Sequence, residues 1–314
     1  MKNKKIKLIA VVGPTASGKT SLSIELAKRL SGEIVSADSM QIYKGISIAS
    51  AAATEQEKQG IPHYMLEFLE LDAAYSVADY VNQAKEIIFD INERDKTPIL
   101  VGGTGLYVNS LTEGIAFTEQ KTDQEQRKRI EKEFDELGGE EMLKRLSEID
   151  EAAAKKLNPA DRRRIIRAFE IYETTGITKT EQDKNSKEKE TPFETIFIGV
   201  TYRNREKLYD RINRRVDLML ENGLLEEAKS TMFLQNGKGA AQAIGHKELH
   251  AYLRNEKTLE EAVEELKRET RRYAKRQMTW FRRNEKINWI YMDEVEDALS
   301  VALEIIERGG KNEA

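Results

Sequence analysis

A largely apolar run from Ile6 to Val12 leads directly into GPTASGKT at Gly13 to Thr20, and this junction constrains the fold more tightly than any other stretch. It matches Gly-x-x-x-x-Gly-Lys-Ser/Thr in full, after an expected strand and at the start of an expected helix. The glycines let consecutive backbone N–H groups turn inward, and the helix N-terminus adds partial positive charge. Lys19 then spans phosphate oxygens, and the Thr20 hydroxyl is placed to ligate Mg2+. Gly13, Thr15, Ala16, Ser17, Gly18, Lys19 and Thr20 are therefore the expected phosphate-binding residues, for a ligand carrying a di- or triphosphate. The motif alone does not choose between nucleotide hydrolysis, a small-molecule kinase and another phosphate ester.

Such a loop needs a parallel sheet behind it. The first hundred residues supply the pattern: strand at Ile6 to Val12, helix at Lys19 to Leu30, strand at Glu33 to Ser36, helix at Val77 to Glu93, strand at Pro98 to Val101. This alternation predicts an α/β fold, a P-loop NTPase-like parallel sheet with helices on both faces. From about Thr118 to Glu190 the sequence turns to charged, alanine-rich helical patterns, and strand character returns at Thr195 to Val200. The expected organisation is a core at 1–117 and 195–314, with a helical insertion at 118–194. Within the insertion, Lys179 to Glu190 is polar and aperiodic, which predicts an exposed loop. A helix over Leu259 to Arg282 carries an apolar seam that includes Tyr273, Gln277 and Phe281.

The chain of 314 residues has no cysteine, which excludes disulfides and thiolate metal sites and points to a reducing, cytoplasmic setting. No apolar stretch approaches the roughly 20 residues that span a bilayer, so no membrane partner is expected. A net charge of -4 argues against indiscriminate nucleic-acid binding. Lys267 to Lys286 nevertheless holds nine basic residues against two acids, a stripe suited to a polyanion at a defined place. Nothing in the sequence calls for an obligate protein partner.

Two further segments face the crevice at the carboxyl ends of the expected strands, where α/β sheets bind ligands. GGTGLY at Gly102 to Tyr107 allows close backbone approach, with Thr104 able to donate to a phosphate or bridging oxygen, or else forms a plain tight turn. SADSMQIYKG at Ser36 to Gly45 places Asp38 at a strand end. There a carboxylate binds magnesium, accepts a proton from a nucleophile, or caps a turn.

Together with IPH at Ile61 to His63, AYSVADY at Ala74 to Tyr80, NREKLYDRI at Asn204 to Ile212, QAIGHKEL at Gln242 to Leu249 and RRYAKRQMTWFRRN at Arg271 to Asn284, these segments resemble the tRNA dimethylallyltransferases, also called tRNA isopentenyltransferases, of bacterial type. The resemblance covers nearly the whole chain. It implies transfer of a dimethylallyl group from dimethylallyl diphosphate to the exocyclic N6 amine of the adenine next to the anticodon. Asp38 resembles the family's general base, and Thr104, Arg205 and Arg211 its groups that stabilise the departing diphosphate. The implied partner is the tRNA anticodon stem-loop, met by Asp38, Ser39, Met40, Gln41 and Thr104 near the reacting base. Arg127, Arg162, Arg163, Arg164 and Arg167 of the insertion are its implied phosphate contacts.

The chain departs from the family at three places. Ala49 to Ala53 stands where glycine, threonine, alanine, lysine and proline are usual, Tyr64 stands where a second histidine usually follows IPH, and His246 stands where tyrosine is common. The nearest alternatives are an adenylate isopentenyltransferase acting on a free nucleotide, which lacks the large insertion, and a P-loop small-molecule kinase.

Overall fold

The computed structural model describes residues 5–115, 123–186, 190–234 and 239–309, with residues 241 and 242 described in backbone only. The chain divides into two compact units, Met1–Thr112 with Pro192–Ala314, and Glu113–Thr191. The expected boundary at 117 and 118 lies outside the described residues.

The larger unit is built on six parallel strands: β1 (Ile6–Val12), β2 (Gly32–Ser36), β3 (His63–Tyr64), β4 (Thr97–Gly102), β5 (Phe193–Thr201) and β6 (Ile287–Tyr291). Their order is β3-β2-β4-β1-β5-β6. Side chains alternate across a strand. Leu8, Ala10 and Val12 accordingly join the core under the Val77–Glu93 helix, with Tyr80, Ile88 and Ile91, while Ile9 and Val11 join Leu22, Leu26 and Ile306 on the opposite face. Burial on both faces is why β1 reads as a near-continuous apolar run rather than an alternating one. Lys19–Arg29 and Val77–Glu93 are helices, the second started by a capping box between Ser76 and Asp79. The edge strand β6 and the Ala298–Glu307 helix lie beyond the elements expected from the pattern. Among the described residues no helix is long and apolar enough to cross a membrane.

The smaller unit has a core of its own, in which Ile130, Phe134, Met142 and Leu146 of the Gln124–Ile149 helix meet Ile165, Ile166 and Phe169 of the Arg162–Thr175 helix. One expectation is corrected here. Lys179–Ser186, read from its polarity as a loop, is a helix. Thr178 and Glu181 satisfy each other's amides at its start, at 2.8 and 3.1 Å, which is the capping-box exchange. Lys179 and Asp183 form an ion pair one turn apart. The decisive tether is tertiary: buried Asp150 accepts from the Thr180 hydroxyl at 2.6 Å and the Thr180 amide at 2.9 Å.

Asp150→Ala removes these bonds together with the Ala153 amide contact at 3.0 Å. The expected cost to the smaller unit is about 1–3 kcal/mol. In hydrogen exchange, the amides of 179–186 should lose protection while those of β1 and β4 keep theirs.

Candidate active site

Because β1 and β4 pair in register, Val12 beside Gly102, the loops that follow them leave the sheet side by side. β2 pairs with β4 on the other side, Ser36 beside Val101, so Asp38 emerges next to the same loops. Three loop segments thus converge at the carboxyl edge of the sheet, which is where such sheets hold ligands.

The convergence leaves no room for side chains. A Cβ on Gly102 would lie 2.2 Å from the Ala37 carbonyl oxygen, and one on Gly103 would lie 2.1 Å from Gln277 Nε2. Gln277, buried in the Leu259–Phe281 helix, joins the two glycine loops: its Nε2 donates to the Gly103 carbonyl at 3.0 Å, and its Oε1 accepts from the Thr15 amide at 2.9 Å. The sequence pattern places Gln277 in an apolar seam; its polarity there was the one available sign of a special role. Trp280 packs beside it against Gly105 and the core under the sheet.

The charges face one another at close quarters. Lys19 Nζ donates to the Pro14 carbonyl at 2.7 Å, and Asp38 Oδ1 accepts from the Met40 amide at 2.9 Å. Burial pushes the Asp38 carboxyl above the usual carboxylate range, against the Met40 amide and Lys19, which favour its charged form. Burial, then the neighbouring Arg215 guanidinium, pushes Lys19 down to about 7, against the attraction of Asp38. Ser17 Oγ is buried in the same loop without a hydrogen-bond partner among the described residues. Two cations crowded together and an unpartnered hydroxyl make a cradle suited to an anion.

Two spaces meet at this cradle. One, of about 350 Å3, is lined at its polar end by Thr15, Lys19, Thr20 and Asp38, and at its apolar end by residues that include Val216, Met219, Leu224 and Leu266. The other, of about 650 Å3, shares Lys19, Thr20 and Arg215 and adds Ser17, Arg211 and Arg214.

Among the expected residues, Thr15, Ala16, Lys19, Thr20, Asp38, Ser39, Met40 and Gln41 line the first space, and Ser17, Gly18 and Arg211 the second. Gly13 sits beneath them, pressed against the Val200 carbonyl. Thr104 lines neither space; its Oγ1 accepts from the Ser39 amide at 3.0 Å and so holds the segment that carries Asp38. Arg211 Nε donates to the Ala16 carbonyl at 3.0 Å. Arg205 is exposed at the start of the Arg205–Glu221 helix and lines neither space. Helical spacing is the reason: residues four apart share a face, which brings Arg215, not Arg205, to the side of Arg211. Arg215 was readable from that spacing and was not singled out by sequence.

The arginines expected to contact RNA phosphates all lie in the smaller unit. Arg127 pairs with Glu131 at 3.0 Å and Glu170 at 3.5 Å, and Arg167 with Glu170 at 3.2 Å. Arg162 reaches Asp135 at 2.9 Å and lies over the Phe134 ring. Arg163 and Arg164 point their helix positions to solvent and are exposed.

A family model described as IPP transferase matches residues 41–284 of this chain. The chain belongs to the IPP transferase family. The tRNA dimethylallyltransferase of Caldanaerobacter subterraneus subsp. tengcongensis is 46% identical over 292 residues, 92% of this chain and 93% of that protein. The protein of the same name from Acetivibrio thermocellus is 48% identical over 289 residues, 91% of this chain and 92% of its own. Among solved structures, the tRNA isopentenylpyrophosphate transferase of Bacillus halodurans superposes with a TM-score of 0.72 at 41% identity, covering 98% of this chain and 97% of that one. A eukaryotic dimethylallyltransferase described as acting on tRNA gives a TM-score of 0.81 at 31% identity, covering 96% of this chain and 78% of its own. IPP transferase relatives therefore share the fold around this cradle over almost the whole chain.

A bound anion restores the charged form of Lys19, so binding must recruit a proton wherever the empty site is neutral. Inorganic diphosphate should bind at full strength below pH 7. Its affinity should fall by up to about tenfold per pH unit above 7, toward the higher pKa of the complex. Lys19→Arg, charged throughout this range, should flatten the slope in titration calorimetry. Equal slopes for the two proteins would remove Lys19 from the anion site.

Proposed function

We propose that this protein transfers a dimethylallyl group from dimethylallyl diphosphate to the exocyclic N6 amine of the adenine next to the anticodon in tRNA. The observation that carries the reading is one space with a cationic phosphate cradle, a buried carboxylate and an apolar end. A kinase needs the cradle but has no use for an apolar chamber beside it. The relatives' names, at 46% and 48% identity over most of the chain, support the same reaction.

In this reading the diphosphate lies against the 13–20 loop, Lys19 and Arg215, with Arg211 close to the loop through the Ala16 carbonyl. The five-carbon chain lies toward Val216, Met219 and Leu224. The adenine amine attacks the donor's first carbon, and the bond from that carbon to oxygen breaks. Diphosphate leaves with the bonding electrons, and the amine's proton passes to Asp38. Burial makes Asp38 a stronger base than an exposed aspartate, while Lys19 and Arg215 beside it favour its charged form. Charge developing on the leaving oxygens is met by fixed groups that need no rearrangement. Thr104 acts here as a positioning residue, holding Ser39 and the segment from Asp38 to Gln41.

The residues present also fit a magnesium ion. Among the described residues no group of three His, Cys, Asp or Glu side chains forms a cage. Mg2+ commonly keeps its waters and binds through one or two protein oxygens plus substrate phosphates, which leaves Thr20 as its protein ligand here. When bound it would neutralise charge on the diphosphate.

The adenine must leave its stack to reach Asp38, as bases do in other base-modifying enzymes. Contacts to the RNA backbone fall to the smaller unit, where Arg163 and Arg164 lie on the exposed side of the Arg162–Thr175 helix, as phosphate contacts require.

Asp38→Asn should bind tRNA and donor at near-normal affinity yet lose roughly two to four orders of magnitude in single-turnover rate. A normal rate in the folded variant would remove Asp38 as the base. Replacing Arg163 and Arg164 together by alanine should weaken tRNA binding and lower the slope of log affinity against log salt by about one to two, since each lost phosphate contact releases fewer counterions. An unaltered slope would place the RNA backbone elsewhere.

A further inference from the structure

The helix Ser47–Ser50 and Ala51 form a strap along both spaces at the cradle, with Ala51 lining each of them. The strap carries a role through its carbonyls. Ala51 O accepts from Arg215 Nη2 at 3.4 Å and from Gln41 Nε2 at 3.3 Å, and Ser50 O accepts from Gln41 Nε2 at 3.3 Å. Arg215 Nη1 in turn reaches Thr15 Oγ1 at 3.4 Å. The position of the strap therefore sets where the Arg215 guanidinium sits.

No local side chain caps the start of this strap. Its N-cap is Ile46, which has no side-chain acceptor, and its first turn carries no acid. Its free amides are met from 179 residues away: Glu227 Oε2 accepts from the Ile48 amide and Oε1 from the Ala49 amide, both at 2.8 Å. The carboxylate is itself fixed. His246 Nε2, fully buried, donates to Glu227 Oε1 at 2.9 Å. His246 Nδ1 faces Thr231 Oγ1 at 3.1 Å, and the Thr231 hydroxyl donates to the Ala228 carbonyl at 2.9 Å. Thr231, fully buried, faces His250 Nε2 at 3.1 Å, and His250 Nε2 also lies 2.9 Å from the Ala228 carbonyl.

The two strap amides and the His246 ring thus all direct N–H groups at Glu227, and His246 is backed in turn by Thr231 and His250. Burial pushes His250 down. Two of the departures from the family pattern meet here, since the Ala49 amide and the His246 ring bond the same carboxylate.

We propose that Glu227, oriented by His246, is a positioning residue for the donor diphosphate, acting through the Ile48–Ala51 strap on Arg215. Neither side chain lines the cradle. The inference rests on the reading that the cradle takes a diphosphate, and it predicts a loss confined to that ligand. Glu227→Gln places an amide N–H against a backbone N–H and breaks the two-amide clasp. His246→Leu removes the donor at similar volume, whereas His246→Gln keeps an N–H directed at Glu227.

The test measures the affinity of inorganic diphosphate by calorimetry, the donor KM and kcat, tRNA affinity, and thermal melting, for the full-length protein and each variant. Glu227→Gln and His246→Leu should weaken diphosphate binding and raise donor KM about tenfold, with kcat at saturation changed less than threefold and tRNA affinity unchanged. His246→Gln should restore both values to within threefold of the parent. Unchanged diphosphate affinity in a folded Glu227→Gln or His246→Leu would overturn the proposal. So would a loss in His246→Gln as large as in His246→Leu, which would make the cluster a packing feature only. Should Glu227→Gln fail to fold, the His246 pair decides. A parent protein that binds no diphosphate would instead sink the functional reading, and this inference with it.

Discussion

The contact on which the site depends is the clasp of Gln277 between two glycine loops. One amide side chain accepts from Thr15 and donates to Gly103, and so fixes the distance between the loops that follow β1 and β4. Both partners are backbone groups withdrawn from water, where an unmade hydrogen bond costs about 1–3 kcal/mol. The clasp is feasible only because Gly103 has no Cβ to meet the amide nitrogen. Tight loops, a buried amide and a bare backbone are thus one device.

Upon that geometry rests an electrostatic arrangement that the empty site holds at a cost. Burial and the neighbouring Arg215 push Lys19 down, burial and Arg211 push Arg215 down, and burial pushes Asp38 up. A polyanion relieves the first tension directly, while leaving Asp38 beside cations that favour its charged form. The same low-dielectric surroundings that make the empty cradle unfavourable make its attraction for a developing negative charge strong. The strap extends this preorganisation outward: Arg215 leans on Ala51, and Ala51 on a segment whose amides are held by Glu227. The cations of the cradle are thus linked by hydrogen bonds to a buried polar chain that does not line it.

The smaller unit follows a different logic. Its core is an ordinary seam of Ile130, Phe134, Ile165 and Phe169, and much of its charge is spent internally, as in Arg162 with Asp135 and Arg127 with Glu131. The arginines of one run thus differ in their internal pairing. Exposed pairs of this kind contribute little to stability. The order of the polar Lys179–Ser186 helix comes from caps and from Asp150 rather than from an apolar face.

By itself the sequence determined the phosphate loop, the strands behind it and the place of Asp38. These follow from local chemistry: glycine spacing, runs of β-branched residues and the register of a strand end are all read within a few residues. Tertiary structure alone decided which arginines reach the cradle, that Gln277 locks it and that Glu227 holds the strap. Thr15 and Gln277 are 262 residues apart, and Ile48 and Glu227 are 179 apart. At such separations no periodicity links the partners; what joins them is the folding of the sheet and the packing of helices over it, which sequence pattern describes only one element at a time.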